Sequence, residues 1–130
     1  MTDNHARVWP TLRYRDAPAA IRFLVEAFGF REAAVYAGDD GVVAHAELRW
    51  PGGGGIMLGS DRPDSVIADQ PAGVGSVYIV TDEPDALFAQ ARAAGARVVK
   101  ELTDEEYGSR GFTVRDPEGV YWSFGTYAGA

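Results

Sequence analysis

The chain has 130 residues, a formal net charge of −7 and no cysteine. That length suits one domain, or two very small modules sharing a core. The acidic balance argues against nucleic acid or an anionic membrane as the main partner, and the missing thiols exclude a disulfide framework, a thiolate metal site and a cysteine nucleophile. No stretch approaches the roughly 18 consecutive apolar residues of a membrane span. Residues 1–9, MTDNHARVW, show no apolar run after a basic start, so no signal peptide is read there and a cytoplasmic location is expected.

In chain order, residues 7–15 (RVWPTLRYR) read as a first strand, with Val8, Leu12 and Tyr14 alternating against Trp9, Thr11 and Arg13. A helix follows over 16–29, its buried stripe formed by Ile21, Leu24, Val25 and Phe28. Residues 31–37 suggest a second strand and Asp39-Asp40-Gly41 a turn. Residues 42–50 alternate most clearly, Val42, Ala44, Ala46, Leu48 and Trp50 against Val43, His45, Glu47 and Arg49. Gly52 to Gly55 precedes a strand and lacks the Lys-Ser/Thr of a phosphate loop, so it reads as a hairpin turn before the short strand 56–58. After a polar connector (61–73) the pattern restarts. A strand is expected over 76–81, a helix over 82–95 and strands over 97–101, 111–115 and 120–127. An acidic loop carries Tyr107. Asp116-Pro117-Glu118-Gly119 has the residues of a tight hairpin turn.

The two helical stretches echo each other at a constant offset of 66 positions. Asp16 matches Asp82, Pro18 matches Pro84, Ala27 matches Ala93 and Gly29 matches Gly95. Asp caps a helix start, Pro is tolerated in its first turn and Gly closes its end. The expectation is therefore an α+β chain of two tandem βαβββ modules, 7–60 and 74–127, in which two curved mixed sheets surround a cavity and the helices lie outside.

This layout, with FGF after the first helix and DPEGVYWSFGTY at the end, resembles the vicinal oxygen chelate superfamily of glyoxalases, bleomycin-resistance proteins and extradiol dioxygenases. The segments YRDAPAAIRFLVEAFGF, HAELRW and IML are most similar to its bleomycin-resistance-like or PhnB-like branch. The resemblance implies a homodimer with cavities at the interface. In the enzymes of that family four side chains hold a divalent metal, and the matching positions here are Trp9, Met57, Ser76 and Ser123. An indole does not ligate a metal, and a thioether and two hydroxyls are poor ligands for such an ion. Neither a metal nor another cofactor is expected.

The helix-facing side of each sheet must be apolar, so the alternate residues are expected to line the cavity. These are Trp9, Thr11, Arg13, His45, Glu47, Arg49 and Met57 in the first module. In the second they are Ser76, Tyr78, Thr113, Arg115, Tyr121 and Ser123, with Tyr107 as a candidate lid. Aromatic and hydroxyl groups together suit a planar, partly polar organic ligand, and the acidic chain would attract a cationic one. Trp122 and Phe124, on the opposite face, read as core. The favoured function is metal-independent binding or sequestration of a small organic molecule, for example an antibiotic. The alternative is a lyase, isomerase or dioxygenase using His45 and Glu47, two apart on one strand face, with the histidine as base. A third possibility is a structural subunit whose aromatics fill its own cavity. His5 is the other histidine, in the N-terminal tail.

Overall fold

The computed structural model describes residues 6–130, so His5 lies outside the described residues. Eight strands and two α-helices form two four-stranded mixed sheets. The first module comprises β1 (Thr11–Tyr14), α1 (Ala17–Phe28), β2 (Arg31–Ala37), β3 (Val43–Arg49) and β4 (Gly55–Ser60). The second comprises β5 (Ser76–Val80), α2 (Pro84–Ala93), β6 (Arg97–Asp104), β7 (Arg110–Arg115) and β8 (Tyr121–Gly125). The strand orders, β1-β4-β3-β2 and β5-β8-β7-β6, are the same arrangement twice. In each, the strand before the helix pairs in parallel with the last strand.

Helix α1 follows its sequence signals. The Asp16 carboxylate accepts from the Ala19 N–H at 3.1 Å. Gly29 closes the helix at φ 86°, its N–H reaching Val25 O at 3.0 Å. Helix α2 departs from the echo. Its cap is Glu83, which makes no side-chain cap bond, and Ala94 rather than Gly95 ends it. Thr81 Oγ1 takes the Glu83 N–H instead, and α2 has 10 residues against 12 in α1. Its first turn is tied down from outside by Arg110, which donates to both Asp85 carboxylate oxygens at 2.8 and 3.0 Å. Those bonds hold the Asp85 carboxyl below its ordinary pKa.

Several strand expectations need correction: β6 runs on to Asp104 rather than ending at 101, and β8 ends at Gly125 rather than 127. β1 begins at Thr11, not Arg7, and Val8 is exposed. β4 runs from Gly55 to Ser60, longer than the three-residue core read from the sequence. In β3 the buried residues are Val43, Ala46 and Leu48, and Ala44 is exposed. The pairing of β2 with β3 shifts register between Tyr36 and Ala37, and this slip turns the start of β3 over.

One apolar core unites the modules. It takes Leu12, Leu48, Ile56 and Leu58 from the first sheet, Val114, Trp122 and Phe124 from the second, and the stripe Ile21, Leu24 and Phe28 of α1. The Phe28 ring stands 5.4 Å from Trp122 and 4.8 Å from Phe124, centroid to centroid. The DPEG turn adds a polar clasp. Asp116 is buried, and its Oδ1 accepts from the N–H groups of Glu118, Gly119 and Val120. Its Oδ2 accepts from Trp122 Nε1 at 3.0 Å and from the Tyr14 hydroxyl of the other module. The Glu118 carboxylate accepts from the N–H groups of Arg15 and Asp16 at 2.7 and 2.8 Å.

Candidate functional site

The helix-covered faces of the sheets are spent on the core, so chemistry is confined to the opposite, open faces and to the cleft between modules. On the second sheet, Tyr78, Ser123 and Thr113 stand in one row across β5, β8 and β7. The Thr113 and Ser123 hydroxyls are 2.8 Å apart and form the floor of a cavity of about 240 Å³. Tyr78 stands on one side, its hydroxyl held by Tyr127 O at 2.7 Å. Tyr107 stands on the rim, exposed, its ring edge-on to Tyr127 at 5.6 Å. Lys100 and Glu105 form an ion pair beside them. The Tyr78 hydroxyl lies close over Gly125, where a Cβ would sit 2.8 Å from it and would push that ring aside.

The next row holds Ser76, Tyr121 and Arg115. The Arg115 guanidinium lies 4.6 Å above the Tyr121 ring, and its Nε donates to Gly119 O. Arg115 is thereby engaged within its own module.

On the first sheet, Thr11, Met57 and Glu47 form a row across β1, β4 and β3. His45 Nε2 lies 2.9 Å from Glu47 Oε2, and the Tyr36 ring stacks on His45 at 6.1 Å. Both partners are partly exposed, 42% and 34% by side chain. The pair is oriented and reachable, the geometry a general base needs. Thr11, His45 and Met57 also line a cavity of about 140 Å³. Trp9 lies over Gly55, close enough that a Cβ there would fall 2.7 Å from its ring, and Arg49 is exposed opposite Gly55 and Arg31.

Arg13 borders the same cavity as expected, but its charge is taken up within the chain. Its side chain is 3% exposed, and its guanidinium is committed to the connector. It donates to the carbonyls of Ile67, Ala68, Gln70 and Arg62, and pairs with Asp61 at 2.5 Å. Strand alternation places Arg13 on this face, but no local signal shows that residues 61–70 fold back over it.

The four positions matching the family's metal ligands remain Trp9, Met57, Ser76 and Ser123, whose donor atoms do not suit a divalent ion. Among the described residues no group of three or more His, Asp or Glu side chains converges to hold one. Nor is any described helix long and apolar enough to cross a membrane.

The third cavity, about 420 Å³, lies between the modules. Of the residues expected to line a cavity, only Tyr78 does so here; Phe30 and Trp50 form its aromatic wall. Sequence reading missed both, because Trp50 alternates with the core face of β3 and Phe30 sits in a two-residue link. It also missed Lys100, which lies between two register shifts in β6 that hide which way it points.

Two βαβββ modules of identical strand order, each with one covered and one open face, define the two-module glyoxalase-type architecture. The chain belongs to the Glyoxalase/Bleomycin resistance protein/Dioxygenase superfamily, whose family model matches residues 4–124. It is similar to the uncharacterized protein Mb0911c of Mycobacterium bovis, 37% identical over 122 residues, covering 89% of this chain and 80% of the relative. Among solved structures it is similar to TioX from Micromonospora sp. ML1, with TM-score 0.78 and 32% identity over 92% of this chain and 97% of that one. A glyoxalase/bleomycin resistance protein from Streptomyces sp. CB03234 superimposes with TM-score 0.73 at 21% identity, covering 92% and 98% of the two chains, a likeness of fold.

Proposed function

We propose that the protein binds a small, partly aromatic organic molecule on the open face of its second sheet, without a metal. The observation that carries this reading is the Thr113–Ser123 hydroxyl pair in a cavity that Tyr78 and Tyr107 also line. Hydroxyls give directed hydrogen bonds and tyrosines give stacking surface, which together suit a planar ligand. Binding alone would sequester such a molecule, an antibiotic being one candidate, from its target in the cytoplasm. The net charge of −7 favours a cationic ligand by long-range attraction.

A homodimer completes the site in this reading. Tyr36, Tyr78, Val99 and Tyr121 are exposed by 61%, 49%, 52% and 40% in the single chain, and a second copy would cover such surface. The second reading is an enzyme built on the His45–Glu47 pair, favoured by its 2.9 Å contact and its exposure.

Native mass spectrometry of the protein as purified, followed by titration with bleomycin as a cationic glycopeptide probe, tests both readings. The expected result is a metal-free dimer whose probe affinity falls about tenfold in Tyr107→Ala and in Thr113→Val. A stoichiometric divalent ion that disappears in the His45→Ala, Glu47→Ala double variant would move the protein to the enzymes. Probe binding unaffected by either single variant would remove the second sheet as the site.

A further inference from the structure

We propose that the cleft between the modules is a separate ligand site, built within one chain, for a flat aromatic molecule that carries a positive charge. Its volume of about 420 Å³ is the largest of the cavities described above and within the range of small-molecule sites.

The repeat explains why the cleft is open. At the offset of 66, Trp50 corresponds to Asp116, Pro51 to Pro117 and Gly52 to Glu118. The two hairpin turns therefore occupy matching places, each facing the start of the other module's helix. At one junction Asp116 and Glu118 reach across and grip Tyr14, Arg15 and Asp16, leaving about 200 Å³. At the other junction the matching turn is Gly52 to Gly55, which has no side chain to send across. The side-chain bond that crosses among the described residues comes from Trp50, its Nε1 donating to Val80 O at 3.3 Å. The space that Glu118 closes on one side is filled by no described side chain on the other.

The walls define the ligand. Trp50 and Phe30 meet edge to face with centroids 5.3 Å apart and offer an aromatic surface. The opposite wall is the outer edge of β5, an edge strand. Gly75 and Thr81 bond to β8, as acceptor from Tyr121 N and donor to Gly125 O. In a parallel ladder alternate residues share one side, so Val77 and Ile79 also face β8, and the amides of Tyr78 and Val80 turn toward the cleft. Asp82 is the single charged residue in the lining. It is exposed and makes no ion pair among the described residues. A positive group meets one free carboxylate there and no competing cation. Tyr78 borders both cavities, but none of Tyr107, Thr113 and Ser123 lines this cleft, so the site does not depend on the hydroxyl pair that carries the reading given above.

Proflavine, a planar acridine cation, is the probe, followed by quenching of tryptophan fluorescence, with 9-anthracenecarboxylate as an anion of similar shape. One tryptophan-quenching proflavine per chain is expected, its saturable binding weakened about threefold to fivefold in Asp82→Asn. Gly52→Leu should abolish it by filling the mouth; Gly52 has no positive φ, and a Cβ there meets only the Trp50 ring at 3.3 Å. Trp50→Phe should remove most of the quenching, and Thr113→Val should leave affinity unchanged. Absence of saturable binding would overturn the proposal, as would equal affinity for the anthracene anion or equal binding by Asp82→Asn and Gly52→Leu. Loss of binding in Thr113→Val would also overturn it, by placing the dye on the open face of the second sheet.

Discussion

The Tyr14 hydroxyl donates to Asp116 Oδ2 at 2.6 Å, joining residues 102 positions apart across the two modules. Both are buried, Tyr14 at 1% exposure and Asp116 at 2%. A buried carboxylate is tolerable only when its lone pairs are filled. Asp116 achieves this with three backbone N–H groups, one indole and one phenol. Tyr14→Phe removes one donor from a charge that cannot reach water, and should cost about 2 kcal/mol in urea unfolding. Asp116→Ala should cost more, about 4 kcal/mol, because it strands the Tyr14 and Trp122 donors and opens the turn.

The same contact has an alkaline signature. Burial first, and the Asp116 charge second, push the Tyr14 phenol well above its ordinary pKa of 10.0. A proton held more tightly by the folded state leaves stability unchanged below about pH 10, where the unfolded chain is also protonated. Above that pH the unfolded chain ionises and the folded one does not, so stability falls as pH rises. Urea midpoints at pH 8 and pH 11 should therefore diverge more for the wild type than for Tyr14→Phe. In the native protein one of the 6 tyrosines should resist spectrophotometric titration until unfolding. Equal divergence in the two proteins would contradict this account.

Arg13 organises the connector in the same manner, with a cation in place of an anion. Five acceptors from residues 61–70 converge on its guanidinium. Lys carries the charge but lacks the planar fork that serves several carbonyls at once. Arg13→Lys should leave the strands intact while residues 61–70 exchange amide hydrogens at least about tenfold faster. Arg13→Ala should cost about 3 kcal/mol, because four partly buried carbonyls lose their donor. Unchanged exchange across 61–70 in both variants would show that the connector is held by something else.

Gly111 tests the floor of the second sheet. A Cβ there would lie 2.1 Å from Phe124 O and 2.9 Å from Gly125 Cα, both backbone atoms that cannot swing aside. Gly111→Ala should cost about 3 kcal/mol by forcing β7 and β8 apart. Since Thr113 and Ser123 bond across that same pair of strands, loss of stability should be accompanied by weaker ligand binding on this face. Thermal unfolding of the variant, read beside its probe affinity, checks both expectations.

The sequence by itself determined the modular plan. Helix signals are local, so Asp16, Pro18 and Gly29 mark the ends of α1 without reference to anything distant. Hydrophobic period is local too, and it placed Trp122 and Phe124 in the core and His45 and Glu47 together on the other face. The offset of 66 exposed the repeat because each module must solve the same packing problem. Even so, α2 shows where local signals yield. Its capping role passed from Asp82 to Glu83, and an ion pair from Arg110 now secures its first turn.

Only the tertiary structure decided what long-range contact decides. A register slip opposite Tyr36 and Ala37, where Ala44 is the unpaired extra residue of β3, reversed the start of that strand, and strict alternation cannot reveal a bulge. Arg13 shares the parity of Trp9 and Thr11, yet it is buried because a loop some 50 positions later folds onto it. The cleft beside Trp50 exists because a glycine turn fails to fill what its counterpart fills. That difference became visible only when the two junctions could be set side by side. Short-range periodicity fixes which elements form; the partners that saturate buried charges and close or open cavities are set by chain segments far apart in sequence.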